Sequence, residues 1–305
     1  MKRTVLFVAL SRRRMMLPLF AALLAFIAAA LVTFIASVAN KAPEAYDQTS
    51  IVKSFSVLCN WSYNDYDDPI VYPDKKGAAH RHDFFGNRTT KYNSTYTSLR
   101  NATTKEDPDA TKCFHPDDKS AYWIPTIKWN GTNLEPRYAV AYYRNGKKDP
   151  ASVKPHPAGL KVVSNTHVTW KCDGGSYQDY PPTQCSSGQL SVSIVAPDCS
   201  NGQIDSADHR SHMAYSTPNS STGYNECPST HPTPVPLLDL AVRFYIPTTA
   251  GKVTLSSGEA STMHADFFNA WNQQTLEGLV KHCINDPWPE GTEPSDCRIR
   301  DDIPT

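Results

Sequence analysis

The chain has 305 residues, with 30 Lys plus Arg balanced by 30 Asp plus Glu. A balanced chain offers no electrostatic footprint for nucleic acid, and no nucleic-acid partner is expected. The length leaves ample material for one large core, and eight cysteines with no CxxC spacing argue against zinc ribbons and thioredoxin-type chemistry.

Residues 1–14 form a basic leader whose only compact run is Arg12, Arg13 and Arg14. Residues 15–39 follow as an apolar stretch interrupted by Thr33 and Ser37. That is long enough to cross a bilayer, which needs roughly 20 residues, and long for a signal-peptide core. Ser37-Val38-Ala39 also has the small residues of a cleavage site. The expectation is therefore a single-pass anchor, with a cleaved signal as the alternative. Either places the rest of the chain outside, at the cell surface or released from it. Residues 40–50 read as a linker and 51–305 as one extracellular domain.

All eight cysteines (Cys59, Cys113, Cys172, Cys185, Cys199, Cys227, Cys283 and Cys297) lie after the apolar stretch. An even set in that position predicts up to four disulfides in an oxidising compartment, with Cys172 to Cys185 and Cys283 to Cys297 as plausible short closures. Asn-x-Ser/Thr sequons at Asn60, Asn87, Asn93, Asn101, Asn130 and Asn219 fit the same setting.

In chain order, Ile51 to Leu58 alternates as a first strand and Asp67 to Pro73 is expected to be extended by its prolines. His80-Arg81-His82-Asp83 follows. On a strand, both histidines would point to one side as a chelating pair; the alternative is two surface histidines beside a turn. Asn93 to Asp118 reads as loop. The runs Ser120 to Ile127, Tyr138 to Tyr143, Val162-Val163, His167 to Lys171, Leu190 to Val195, Val235 to Ile246 and Val253 to Ser256 are β-prone. One helix is predicted after a cap at Ser261 or Thr262, with Phe267, Phe268, Trp271, Leu279, Val280 and Cys283 on its buried face. It would hold His264 and Asp266 in its first turn, where the helix dipole disfavours a charged imidazole. The resulting fold class is mainly β, a sandwich or jelly-roll-like core with long disulfide-tied loops and one main C-terminal helix.

The densest chemistry is Asp205-Ser206-Ala207-Asp208-His209-Arg210-Ser211-His212-Met213. As a helix it would align Asp205, Asp208, His209 and His212 on one face, and in a tight loop they would converge by another route. These four are the candidate catalytic residues, able to orient or move a proton. His80, His82, His264 and Asp266 are the candidate metal ligands, for a divalent ion of unspecified identity. Tyr66, Trp123 and Tyr215 are the candidate substrate-binding aromatics, although Trp123 also fits a sheet core. Gly-x-Ser-x-Gly, HExxH, Gly-rich phosphate loops and dinucleotide fingerprints are absent from the sequence.

Five motifs together resemble one family: Asp68-Pro69-Ile70-Val71, His80-x-His82-Asp83-Phe84-Phe85-Gly86-Asn87, Ser120-Ala121-Tyr122-Trp123-Ile124-Pro125, Asp205 to Tyr215, and His264-Ala265-Asp266-Phe267-x-Asn269-x-Trp271. It is a secreted domain of unknown function of actinobacteria and fungi, accompanied in fungi by carbohydrate-binding WSC modules. The likeness runs from about Phe55 to Cys283. It departs at Tyr66, where members often carry arginine, and at Ser200-Asn201, where Trp-Asp is common. The resemblance implies a polysaccharide-rich setting and no particular reaction. The expected function is thus a cell-envelope hydrolase or lyase acting on cell-wall or extracellular polysaccharide through the His/Asp site. The alternative is a non-catalytic wall-binding or structural domain in which those residues form a buried hydrogen-bond network.

Overall fold

The computed structural model describes residues 53–105, 108–286 and 295–299. The leader, the apolar stretch and the linker lie outside them. Among the described residues, no helix is long and apolar enough to cross a membrane.

The described unit is mainly β, as expected from its β-prone runs. Nine strands carry the main sheet: β1 (Ser54–Asp65), β2 (His82–Gly86), β3 (Ala121–Pro125), β4 (Pro136–Arg144), β5 (Lys161–Ser164), β6 (His167–Cys172), β7 (Gln189–Val195), β8 (Leu237–Tyr245) and β9 (Ala265–Phe268). Their order across the sheet is β5-β9-β3-β2-β1-β4-β8-β7-β6, and every neighbouring pair is antiparallel. A short Arg298–Ile299 strand adds a parallel pairing on β1.

The long strand β1 is the corner. Ser54 to Asn60 pair with β4, whereas Trp61 to Asp65 pair with β2 after a register shift between Trp61 and Tyr63. A bulge of this kind adds local twist and re-aims the strand, so one ribbon serves two sheet halves. The halves curl toward each other, near to a barrel, and close on one core. Phe85, Tyr122 and Phe267 from one half meet Tyr143, Leu240 and Ile194 from the other. The stacked rings of Phe55 and Tyr143 lie 4.6 Å apart at its centre, with the Trp271 indole donating to the Tyr143 hydroxyl at 3.1 Å.

The β2-β3-β9 half buries both faces, and this decides where the site sits. Its outer face carries a second cluster of Ile70, Phe84, Leu99, Trp123, Val163 and Phe268. A strand buried on both faces reads as a continuous apolar run, which periodicity cannot separate from a helix. For this reason the helix expected from about residue 263 is not there. Ala265–Phe268 is strand β9, and helix α1 (Gln273–Leu279) begins only after Asn272, whose carboxamide oxygen accepts from the amides of Gln274 and Thr275. The helix continues as a π-type turn to Asn285. Asp68 to Val71 is likewise a turn and not extended: the Asp68 carboxylate accepts from the amides of Ile70 and Val71, an Asx arrangement that outweighs the proline bias.

All eight cysteines are paired, Cys59–Cys113, Cys172–Cys185, Cys199–Cys227 and Cys283–Cys297, as the even count predicts. The loops Cys172–Cys185 and Cys283–Cys297 are the two short closures read from spacing.

Candidate metal centre

Sheet register builds the centre. Asp266 of β9 lies opposite Trp123 of β3, and Phe84 of β2 lies opposite the same Trp123. Moving two residues toward the strand ends keeps the same face. There His82 pairs with Pro125, and His264, one residue before β9, extends the same row. The two histidines thus flank a proline that carries no long side chain to keep them apart. His80 enters from the segment leading into β2.

The three imidazoles converge. Ring centroids lie 4.2 Å apart for His80 and His82, 5.1 Å for His80 and His264, and 5.8 Å for His82 and His264. One nitrogen from each falls within 4.8 Å of the others, a spacing that can hold a metal ion. The Nε2 atoms of His80 and His82 are buried without hydrogen-bond partners. Orphaned buried nitrogens are rare, because the lost hydration is not recovered.

Backbone carbonyls set the orientation of two rings. His264 Nδ1 faces the Thr262 carbonyl at 2.9 Å, and His82 Nδ1 faces the Asp67 carbonyl at 3.4 Å. With Nδ1 as the donor in each, Nε2 is left with its lone pair, the form that ligates a metal. Asp67 is itself pinned: its carboxylate accepts from the amides of Gly77 and Tyr92, tying together the loops around His82.

Electrostatics point the same way. Burial, reinforced by its two histidine neighbours, holds His82 well below the usual imidazole range. Burial first, then the nearby His80 and Arg210 charges, brings His264 down to about 4 against the opposing Thr262 carbonyl. His80 is lowered by burial. The neutral His264 imidazole expected from a helix dipole is therefore favoured by desolvation instead. Asp266 is 1 % exposed, and neither of its carboxyl oxygens has a hydrogen-bond partner. Burial and then the Asp68 charge raise it well above the ordinary carboxylate range. Its Oδ2 lies 3.6 Å from His264 Nε2. Without a cation, burial disfavours the charged form of both groups.

The four candidate metal residues His80, His82, His264 and Asp266 are thus brought together. The Asp205–His212 segment is placed differently. It is a loop, not a helix, docked on the free edge of β5. His212 is fully buried with both ring nitrogens engaged, Nε2 with the Lys161 carbonyl at 2.7 Å and Nδ1 with the Ser206 hydroxyl at 2.9 Å. Asp208 Oδ1 accepts from the Ser206 and Ser211 hydroxyls and from the amides of Arg210 and Ser211, which holds its carboxyl far below the usual range. Asp205 accepts from His209 Nδ1 at 2.8 Å and faces the Lys161 ammonium at 3.8 Å. These contacts knit the loop to itself and to the sheet. They leave His212 no nitrogen free for ligation.

The aromatic candidates separate as well. Trp123, read as a substrate-binding aromatic that also fits a sheet core, is fully buried in β3 with the Phe84 ring 5.4 Å away. Tyr215 donates to the Val195 carbonyl at 2.9 Å and meets the His167 ring edge-on, in the other sheet half. Tyr66 is 54 % exposed, and its carbonyl accepts the amide of Ala79, the residue before His80. Two groups near the centre were passed over in the sequence, Asp68 and Arg210. Both stand inside motifs already noted, but only packing shows that their charges reach Asp266.

No curated protein and no solved structure matches the chain. A family model described as Domain of unknown function (DUF1996) matches residues 68–271, a span that takes in Asp68, all three histidines of the centre and Asp266. Covering more than half of the sequence, this match places the chain in the DUF1996 family.

Proposed function

We propose that the domain binds one divalent transition-metal ion through His80, His82 and His264, with Asp266 as fourth ligand or orienting carboxylate. The observation that carries this is the convergence of three imidazole nitrogens, one buried and two half-buried, beside a buried carboxyl group with no hydrogen-bond partner of its own. Imidazole donors suit zinc, copper, iron or nickel. Calcium, which takes six to eight oxygens, does not match this donor set. A divalent ion held there supplies Lewis acidity to a bound substrate.

The chain's own residues do the remainder. Burial favours the neutral form of the three imidazoles, and the Asp67 and Thr262 carbonyls aim two of them. Asp266, 3.6 Å from His264, can hold or release a proton at its Oδ2. We assign the centre to hydrolysis or lytic cleavage of an extracellular polysaccharide. The compartment is supported by four disulfides, which persist in oxidising surroundings. The polysaccharide setting is supported by the motif resemblance to a secreted family that accompanies carbohydrate-binding modules in fungi. The N-terminal apolar stretch, as anchor or cleaved signal, would deliver the domain there.

Metal analysis of the purified protein, followed by a reducing-end assay on wall polysaccharides with and without chelator, tests the proposal. Near-stoichiometric metal and chelator-sensitive cleavage are expected. Absence of metal after gentle purification, with no change in melting on chelation, would refute the metal centre. Metal without release of product, but with retained polysaccharide binding, would instead make the domain a binding module.

A further inference from the structure

The loop that looked catalytic in the sequence has an unassigned product, the position of Arg210. Three contacts seat the loop along the free edge of β5. The Lys161 amide donates to the Ile204 carbonyl at 2.8 Å, the Val163 amide donates to the His209 carbonyl at 3.1 Å, and the Lys161 carbonyl meets His212 Nε2. Val163 is the direct cross-strand partner of Asp266. The His209 carbonyl therefore sits one strand away from the orphaned carboxyl, and Arg210 is the next residue along.

The Arg210 backbone is clamped on both sides, its amide by the Asp208 carboxylate at 3.2 Å and its carbonyl by the Met213 amide at 2.9 Å. His209 takes a positive φ of 57° to make the turn, an unusual cost for a residue with a side chain. The Arg210 side chain itself is exposed, and its guanidinium has no hydrogen bond or ion pair with any described residue. It is close enough for its charge to act on both His264 and Asp266. Two other cations stand nearby: the Lys161 ammonium faces Asp205 and lies 5.0 Å from the Phe268 ring centroid, and Arg81, between His80 and His82, acts on Asp83.

We infer that Arg210 is the substrate-anchoring cation of this centre, and that the substrate carries an anionic group, a carboxylate or a phosphate, held beside the three imidazoles. The inference rests on the metal reading for its setting. With a divalent ion in place, the carboxylates of Asp266 and Asp68 balance the ion, and the exposed guanidinium keeps its hydrogen-bond donors for a ligand. A planar guanidinium pairs with either anion through two parallel hydrogen bonds, which a neutral sugar cannot reproduce. The Asp/Ser/His network of the loop then has a purpose: it fixes the backbone from which Arg210 reaches.

The test uses the protein loaded with cobalt, whose visible absorption reports on its coordination. Galacturonate, inorganic phosphate and neutral galactose are titrated separately, and affinities are confirmed by calorimetry. Saturable binding of galacturonate or phosphate, but not galactose, is expected, and the tighter of the two identifies the anionic group. Arg210→Gln should keep the wild-type cobalt content and weaken the anion by about 10-fold or more, with Arg210→Lys falling between. Equal anion affinity in wild type and Arg210→Gln would overturn the inference, as would equal binding of galactose. Should cobalt fail to load, the metal reading fails on its own. Calorimetry on the metal-free protein then decides Arg210: anion binding lost in Arg210→Gln supports the anchor, and its absence from wild type refutes it.

Discussion

Replacing Asp266 by valine should move stability and metal affinity in opposite directions. In the metal-free protein, both carboxyl oxygens are buried without partners between Trp123 and Val163. An unsatisfied buried polar group costs about 1–3 kcal/mol. Valine is close to aspartate in volume and favours a strand, so little cavity or strain opposes its gain. Asp266→Val should therefore stabilise the metal-free protein by about 2 kcal/mol at neutral pH. The gap should also depend on pH. Burial keeps the Asp266 proton in the folded state, whereas the unfolded chain releases it above the ordinary 3.8. The folded wild type thus binds the extra proton, and its stability falls as pH rises through that window, by at most about 1.4 kcal/mol per unit. Valine removes this dependence, and the contributions of the histidines largely cancel in the difference.

Metal binding responds the other way. Loss of a ligating or orienting carboxylate costs about 10–100-fold in affinity. Guanidinium denaturation of chelator-treated protein at pH 5 and 7, paired with zinc or cobalt calorimetry, reads both effects. A scaffold residue gives the contrary signature, since its removal destabilises the fold and leaves metal untouched. If Asp266→Val melts lower without metal, or binds metal as wild type does, the reasoning is wrong.

Three further outcomes follow from the same structure. Metal uptake should persist at pH 5.5, because His264 stays neutral down to about 4 and His80 and His82 are also lowered; calorimetry giving a midpoint near 6.5 would mark ordinary, solvated imidazoles. His212→Ala should cost about 2–3 kcal/mol in denaturant melts, from two lost buried hydrogen bonds, while elemental analysis finds the wild-type metal content. Asp118, raised to about 7 by burial, keeps a proton that the unfolded chain loses above 3.8. Its stabilising effect relative to a neutral side chain is fully present below 3.8 and lost as pH rises to about 7. Asp118→Asn should therefore gain on wild type by up to about 4 kcal/mol between pH 4 and 7, then run parallel; parallel curves throughout would refute it.

The fold class and the disulfide framework could be read from the sequence because each rests on local or countable features, the β-branched and aromatic runs that became β4, β7 and β8 and an even cysteine set. The ligand set could be read in part, since His-x-His spacing is itself a chelating pattern. What tied His264 to that pair could not, because it depends on β3 standing between β2 and β9 with Pro125 in register between the two histidines. The run Ala265 to Trp271 misled for a physical reason. Both faces of β9 are buried, so its apolar residues follow no two-residue period, and Phe267, Phe268 and Trp271 happen to fit a helical one. Crowding misled at Asp205–His212 as well. Dense polar side chains in a short segment can satisfy one another, and here they do so, leaving the less crowded histidines as the ones with unspent nitrogens.

That contrast supplies a physical criterion for dividing the labour of the site. Of the polar groups buried around β9, His212 is hydrogen-bonded through both nitrogens, and Asp67 and Asn269 are anchored to backbone groups. His80, His82 and Asp266 carry buried atoms with no partner. The first set lowers the energy of the fold, and removing a member should weaken it. The second set raises that energy in the metal-free protein, and unlike isolated orphans such as those of His156 and Trp129 its atoms converge, which points to something the folded chain binds. Register places the unspent atoms of the second set around one point, with His82 and His264 in one transverse row and Asp266 in the next. A ligand that accepts imidazole lone pairs and neutralises a carboxylate satisfies all of them at once, and a divalent metal cation is the simplest species that does both.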